Sequence, residues 1–337
     1  MRWLSVCTFS AALLSASAAQ DPRTQRLAAE MDRVRADLAN APDSERTSPL
    51  QRLERAKAAL EANRPLLALY LTEAPWEAGK AWTFIKSADV TTAEAFEKKW
   101  TALGEPKPVP SGGSRRPALI DALAASAEAR GPTAYHASRF YGEDAGVPGG
   151  LYYLGESHAV VQFAAFARSL DWPATGGTPP LRSIAQEIAA LDVDMTTAYE
   201  TMERASHSTY IVASAALKQA RTLNDRGRFD GALLQYLLSR YLFAGLRGPA
   251  AQDATEERIA ASRATLDPGI DNSIAELFLQ LAAEGLAGDV PAQRRGAAAA
   301  IEDVVPAYLR AIAPVTTTSA PSSPAQVAIT LVRWPFT

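Results

Sequence analysis

The chain holds only three histidines, His136, His158 and His207, and one cysteine, Cys7, so its options for metal binding and proton transfer are few. The densest polar and aromatic stretch is Tyr152-Tyr153-Leu154-Gly155-Glu156-Ser157-His158, close in sequence to Tyr135, His136 and Tyr141. Carboxyl, imidazole and phenol groups are the ones that carry protons in general acid–base work, and together they line polar pockets. Tyr153, Glu156 and His158 are therefore the first candidate binding residues. The spacing of Glu156 and His158 works against a shared role, because side chains two positions apart on a helix point away from each other. A second group, Tyr236, Arg240, Tyr241 and Phe243, offers stacking and guanidinium contacts at a groove, although aromatic residues at helical spacing more often form core.

Other chemistry is missing its spacing. There is no H-E-x-x-H pair for zinc and no G-x-S-x-G nucleophile elbow. Asp192 and Asp194 diverge on a helix and read as a solvated face. Gly112-Gly113-Ser114-Arg115-Arg116 lacks the phosphate-loop spacing and a preceding strand, so it reads as a flexible linker with solvated arginines. These absences lead us to expect no metal and no cofactor, leave any catalytic residue unassigned, and favour a non-enzyme.

The elements that must position these residues lie in an exported chain. Arg2, the apolar run Trp3 to Leu14 and the small residues Ser15 to Ala19 have the form of a secretory signal peptide, cleaved near Ala19. Cleavage removes Cys7 and leaves about 318 residues, enough for a well-buried core without disulfides, thiolate nucleophiles or cysteine-bound metals. Acidic residues outnumber basic ones, 37 to 34, for a net charge of −3 in the full chain, so nothing invites nucleic acid. No later stretch approaches the roughly 20 apolar residues of a membrane span. The expected product is soluble, in the periplasm or outside the cell.

Between Pro22 and Pro314 the sequence is rich in Ala, Leu, Glu and Arg, good helix formers interrupted by Pro and Gly. Ile184, Ile188, Leu191, Met195, Ala198 and Met202 recur at steps of four and three, which predicts a helix from Ser183 to Ala205. Further helices are expected over Thr209 to Asn224 and Arg228 to Leu246, the latter apolar nearly all round and so central. Before them come Thr24 to Leu38, Pro49 to Ala62 and a helix opening at Pro65, then one capped by Thr91 with Glu94 as its capping-box partner. Pro117 to Ala129, Thr133 to Tyr141 and Tyr152 to Leu170 follow, and Thr255 to Thr265, Ser273 to Ala287 and Pro291 to Ile312 complete the body, with Pro306 kinking the last. Residues 105–116, broken by proline and glycine, mark a boundary between an N-terminal helical subdomain, 20–104, and a main domain, 117–313. Residues 314–324 form a Pro/Ser/Thr linker. Ala325 to Thr337 alternates like a short β-strand that must pair with a hidden strand, pack across the helices or join another protein's sheet edge.

One window carries a family resemblance. Gly227, Phe229, Ala232 and Tyr236 resemble the turn and second helix of a tetratricopeptide repeat, over Ala213 to Leu246, about 34 residues. The helix before it lacks that family's large aromatic and Leu-Gly pair, and no second copy follows at the same spacing. Gly155 and His158 resemble part of the G-x-H-x-x-E motif of imelysin-like periplasmic helical proteins. Ala159-Val160-Val161-Gln162 follow without the acidic residue, so no metal or peptidase-like role is carried over. The resulting expectation is an all-α array of antiparallel helical hairpins, a solenoid or bundle like tetratricopeptide repeats, with a short C-terminal strand. Its function would be to present a groove to a protein or peptide partner; the alternative is an envelope or extracellular enzyme with a polar pocket near Glu156 and His158.

Overall fold

Helix starts in this chain are marked by proline and by short polar caps. α1 (Pro22–Leu38) and α3 (Pro65–Ser87) each open on a proline, whose missing N–H costs nothing in the first turn, and Asp21 caps α1 by accepting from the Arg23 N–H at 2.9 Å. α2 (Asp43–Glu61) lies between them. α4 (Ala93–Leu103) is capped by Thr92, whose hydroxyl accepts from the Ala95 N–H at 3.2 Å. The cap is thus one residue later than Thr91, which puts Glu94 in the first turn of the helix.

The structure, a computed structural model, describes residues 21–108, 115–144, 146–246, 253–288 and 291–313. α5 (Ala118–Asp144) and α6 (Val147–Ser169) follow α4. Pro132 does not divide α5 into two helices as expected; the element runs through it, packed along its length on α6. α7 (Ala185–Tyr199) stops short of the expected Ala205, and a 3-10 turn at Arg204–Ser206 leads into α8 (His207–Asp225). α9 (Phe229–Ala244), α10 (Glu256–Ala264), α11 (Ser273–Ala287) and α12 (Pro291–Ala299) come next. A π-helical turn, Ala300–Val304, joins α12 to α13 (Val305–Ile312), so the irregularity expected at Pro306 lies in the turn just before it.

Among the described residues the fold is all-helical and holds no strand; the only sheet-like pairing there is an isolated parallel bridge, Gly177 with Ile270. The expected signal peptide and C-terminal strand lie outside the described residues. No helix among the described residues is long and apolar enough to cross a membrane.

One apolar cluster runs through the molecule, from Leu27 and Met31 on α1 through Phe163 on α6 and Leu237 on α9 to Tyr308 on α13. A smaller one gathers Phe96, Tyr135, Leu151 and Leu154. Close approach of α9 to α5 rests on Gly231, where an added Cβ would sit 2.9 Å from the Ala125 Cβ. In the window resembling a tetratricopeptide repeat, Gly227 turns the chain at φ 71° and Ala232 and Tyr236 are buried. Those residues pack one helix pair, α8 and α9.

Candidate functional site

α6 places the first candidates on different sides of itself. Glu156 meets Glu77 on α3 and Arg130 on α5, whereas His158 lies against the Gly104 backbone at the end of α4. Burial pushes the Glu156 carboxyl up to about 7, helped by the neighbouring charge of Glu77 and opposed by Arg130. Burial moves the His158 imidazole the other way, below its ordinary value, and its buried Nε2 has no hydrogen-bond partner. Glu156 and His158 therefore do not share a pocket. Tyr153 stacks on Tyr141, with ring centres 4.2 Å apart and planes 16° apart, and Tyr152 meets Trp82 edge-on.

The group around Glu156 is larger than its own helix showed. Glu73 and Glu77, one turn apart on α3, both face Arg130, which donates to Glu77 Oε2 at 2.8 Å and to Glu73 Oε1 at 2.5 Å. Three carboxylates and one guanidinium thus share a buried space between α3, α5 and α6. Burial raises Glu73 to about 7 against the pull of Arg130. Burial also opposes the Arg130 charge, but Glu77 and Glu73 outweigh it and hold the guanidinium firmly protonated. A like-charge pair at i,i+4 destabilises a helix unless a cation answers it, so Glu73-x-x-x-Glu77 was the sequence signal available here.

The second predicted pair is structural. Arg240 donates to Asp303 Oδ2 at 3.0 Å and to the Tyr236 hydroxyl at 3.0 Å, tying α9 to the π turn, and Tyr236 is buried. Asp192 pairs with Arg221 at 2.8 Å. His136 pairs with Glu105 at 3.2 Å, and His207 packs on Tyr199. Among the described residues no group of three or more His, Cys, Asp or Glu is placed to hold a metal.

A site with room for a ligand lies elsewhere, between the N-terminal ends of α5 and α9. It is a cleft of about 730 Å³ whose walls include Arg115, Arg116, Arg168, Arg228, Asp121 and Asp230. Its floor is fixed by Asp271, which accepts from the Ala118 N–H at 2.7 Å and the Ser273 N–H at 2.9 Å, while Ser273 Oγ accepts from the Leu119 N–H at 2.9 Å. The loop before α7 closes one side. There the Gly177 N–H donates to the Gly269 carbonyl at 2.6 Å, and the Asp271 N–H donates to the Gly177 carbonyl at 2.7 Å. Gly176 permits this approach: its φ is 86°, and a Cβ would fall 2.6 Å from the Ile270 carbonyl carbon.

Charge in the cleft is layered. Glu128, buried behind it, is bonded through both oxygens by Arg168, with Nη2 at 3.0 Å from Oε2, and Arg228 approaches the same oxygen at 3.5 Å. Arg116 lies 3.6 Å from Asp121, and Arg115 donates to the Gly176 carbonyl. Burial raises the Asp121 carboxyl, against the pull of Arg116 and with the help of Asp230. Arg116 and Arg168 are thus held by carboxylates within the walls, Arg115 is exposed, and the Arg228 side chain is 40% exposed at the mouth. The uncapped start of α9 adds its positive end. Arg115 and Arg116 are thus cleft walls, and the Arg116 side chain is only 7% exposed where the sequence suggested solvated arginines. Nothing in Gly112-Gly113-Ser114-Arg115-Arg116 announces this, since Arg168 and Arg228 join it only through tertiary packing. No protein-family model, curated protein or solved structure significantly matches this chain.

Proposed function

We propose that this chain is an exported, non-enzymatic helical binding protein that holds a carboxylate-bearing peptide segment of a partner in the cleft between α5 and α9. The observation that carries the reading is a cleft of about 730 Å³ whose walls carry the exposed Arg115 and the half-exposed Arg228. Planar guanidinium groups recognise carboxylates bidentately, and the volume lies within the roughly 300–1,000 Å³ of small-ligand sites. A peptide fits better than a compact apolar ligand because charged side chains share the walls with apolar ones such as Leu181 and Phe229. The first nineteen residues, read as a signal peptide, supply the export, and the helical body, read as packed hairpins like those of tetratricopeptide repeats, supplies the rigid frame. No observation favours the enzyme reading, which needs Glu156 and His158 in one pocket.

Titration calorimetry with a blocked glutamate-rich hexapeptide and its glutamine counterpart tests this. The acidic peptide should bind, more weakly as salt rises, and Arg228→Gln should lower its affinity about tenfold, or ~1.4 kcal/mol. Equal binding of both peptides, or no effect of Arg228→Gln and Arg115→Gln, overturns the proposal.

A further inference from the structure

Exposed apolar side chains are ordinary when scattered, but here four of them gather on one helix pair. Val193 and Tyr199 on α7 are 66% and 48% exposed, and Ile211 and Val212 on α8 are 65% and 55% exposed. The pair lies at the margin of the body, since α7 packs on α8 and only lightly on α9. Core-facing residues fix its orientation: Ile188, Leu191 and Met195 on α7 and Ala213, Leu217 and Ala220 on α8 are buried. Helical spacing then puts Ala189, Val193 and Thr196 on the outward side of α7, and Ile211 and Ala215 on that of α8, all exposed. The contacts of Tyr199 with Tyr210, centres 4.8 Å apart, and of Asp192 with Arg221 hold the two helices side by side, so these outward sides form one face.

Where the described chain ends bears directly on this face. Arg182, just before α7, donates to the Arg310 carbonyl in the last turn of α13 at 3.3 Å, so the chain leaves the body at the base of α7. Val193 is about 14 Å up that helix from Ile184, at 1.5 Å per residue. Residues 314–324, extended, reach up to about 36 Å. Beyond them come Val327, Ile329, Leu331, Val332, Trp334 and Phe336, with Arg333 as the only charged side chain of 325–337. The exposed Glu200 follows the last residue of α7, beside its apolar positions.

We propose that residues 325–336 of the same chain dock on the outward face of α7 and α8, with apolar side chains over Val193 and Ile211 and Arg333 toward Glu200 at the end of α7. The inference is independent of the arginine-lined cleft. It returns a run of large apolar residues to cover beside an apolar face that lacks it.

The single cysteine makes a clean test available. In a full chain carrying Cys7→Ala, the pairs Ile211→Cys with Ile329→Cys and Ile211→Cys with Leu331→Cys are oxidised mildly at low protein concentration and compared with Phe140→Cys paired with the same tail positions. Phe140 is 63% exposed near the C-terminal end of α5, beside Tyr141 and two residues before Gly142, which meets Phe96 on α4. An intrachain disulfide forming at least tenfold faster with Ile211 than with Phe140 is expected, and Val193→Asp should slow it. Equal rates at the two positions overturn the proposal. Disulfides forming only between chains overturn it too, and assign the face to a second copy. Each substitution on the body is at an exposed position, and unchanged helicity by circular dichroism verifies folding.

Discussion

Glu156 and His158 sit two residues apart and burial shifts them in opposite directions, so each links stability to pH with its own sign, and Glu73, also raised to about 7, acts in the same direction as Glu156. Glu156 is raised to about 7 in the folded chain from an ordinary 4.5, so between those values the folded state binds more protons than the unfolded one. Stability therefore falls as pH rises from about 4.5 to 7 and is flat above, with a loss of at most about 3 kcal/mol from this group. Glu156→Gln removes this group's share of the loss, while Glu73 keeps its own: the variant's melting temperature should exceed the parent's at pH 8 and match it near pH 4.5. His158, lowered by burial, works the other way, because below pH 6.5 the unfolded chain takes up the proton first and stability falls with pH. His158→Gln should flatten that acid limb in the same melting series. The buried Glu128 poses a different problem, since it faces both Arg168 and Arg228. Glu128→Gln removes the charge that Arg168 bonds through two nitrogens and should cost about 3–5 kcal/mol by urea unfolding, whereas Glu128→Leu combined with Arg168→Met should recover much of that loss.

At the scale of elements, prolines inside helices are the recurring device, and the structure shows how one is accommodated. Pro75 within α3 has no N–H for the Leu71 carbonyl, and Arg52 from α2 donates to that carbonyl at 3.1 Å and to the Tyr70 carbonyl at 3.3 Å. The side chain also lies over the Tyr70 ring, 5.0 Å from its centre. Arg52→Met should therefore destabilise by about 1–3 kcal/mol, the cost of a buried unpaired acceptor. In a Pro75→Ala background, where residue 75 regains its N–H, the same change should cost less, and the difference in a double-mutant cycle measures the link. Proline positions also explain where helix reading from sequence succeeded and failed. Pro65 opens a helix as expected, whereas Pro22 starts α1 two residues before the expected Thr24, Pro49 lies inside α2 instead of at its start, and Pro132 lies inside α5, where packing on α6 along its length outweighs the local break.

The whole molecule is held by an apolar cluster that includes residues from α1 to α13, on both sides of residues 105–116. A core shared in this way predicts one cooperative thermal transition, with calorimetric and van't Hoff enthalpies in agreement; two separated transitions would show that the flanking parts unfold independently. Much of this architecture is legible in the residues themselves. The helical periodicity of Ile188, Leu191 and Met195, the apolar circumference of α9 and the helix-forming composition require only neighbours a few positions apart, so an all-helical body follows from local rules. The candidate sites are another matter. Tyr236 and Arg240 looked like a groove and became a tie to Asp303, while Arg116, Arg168 and Arg228 became one cleft although they lie up to 112 positions apart. Glu156 was visible, but its partners Glu73, Glu77 and Arg130 come from other helices. Sequence alone determines which faces of each helix are apolar, because that depends on spacing within one turn. Only the tertiary structure decides which charged side chains meet, because burial and distance across helices, not order along the chain, set their hydrogen bonds and proton affinities.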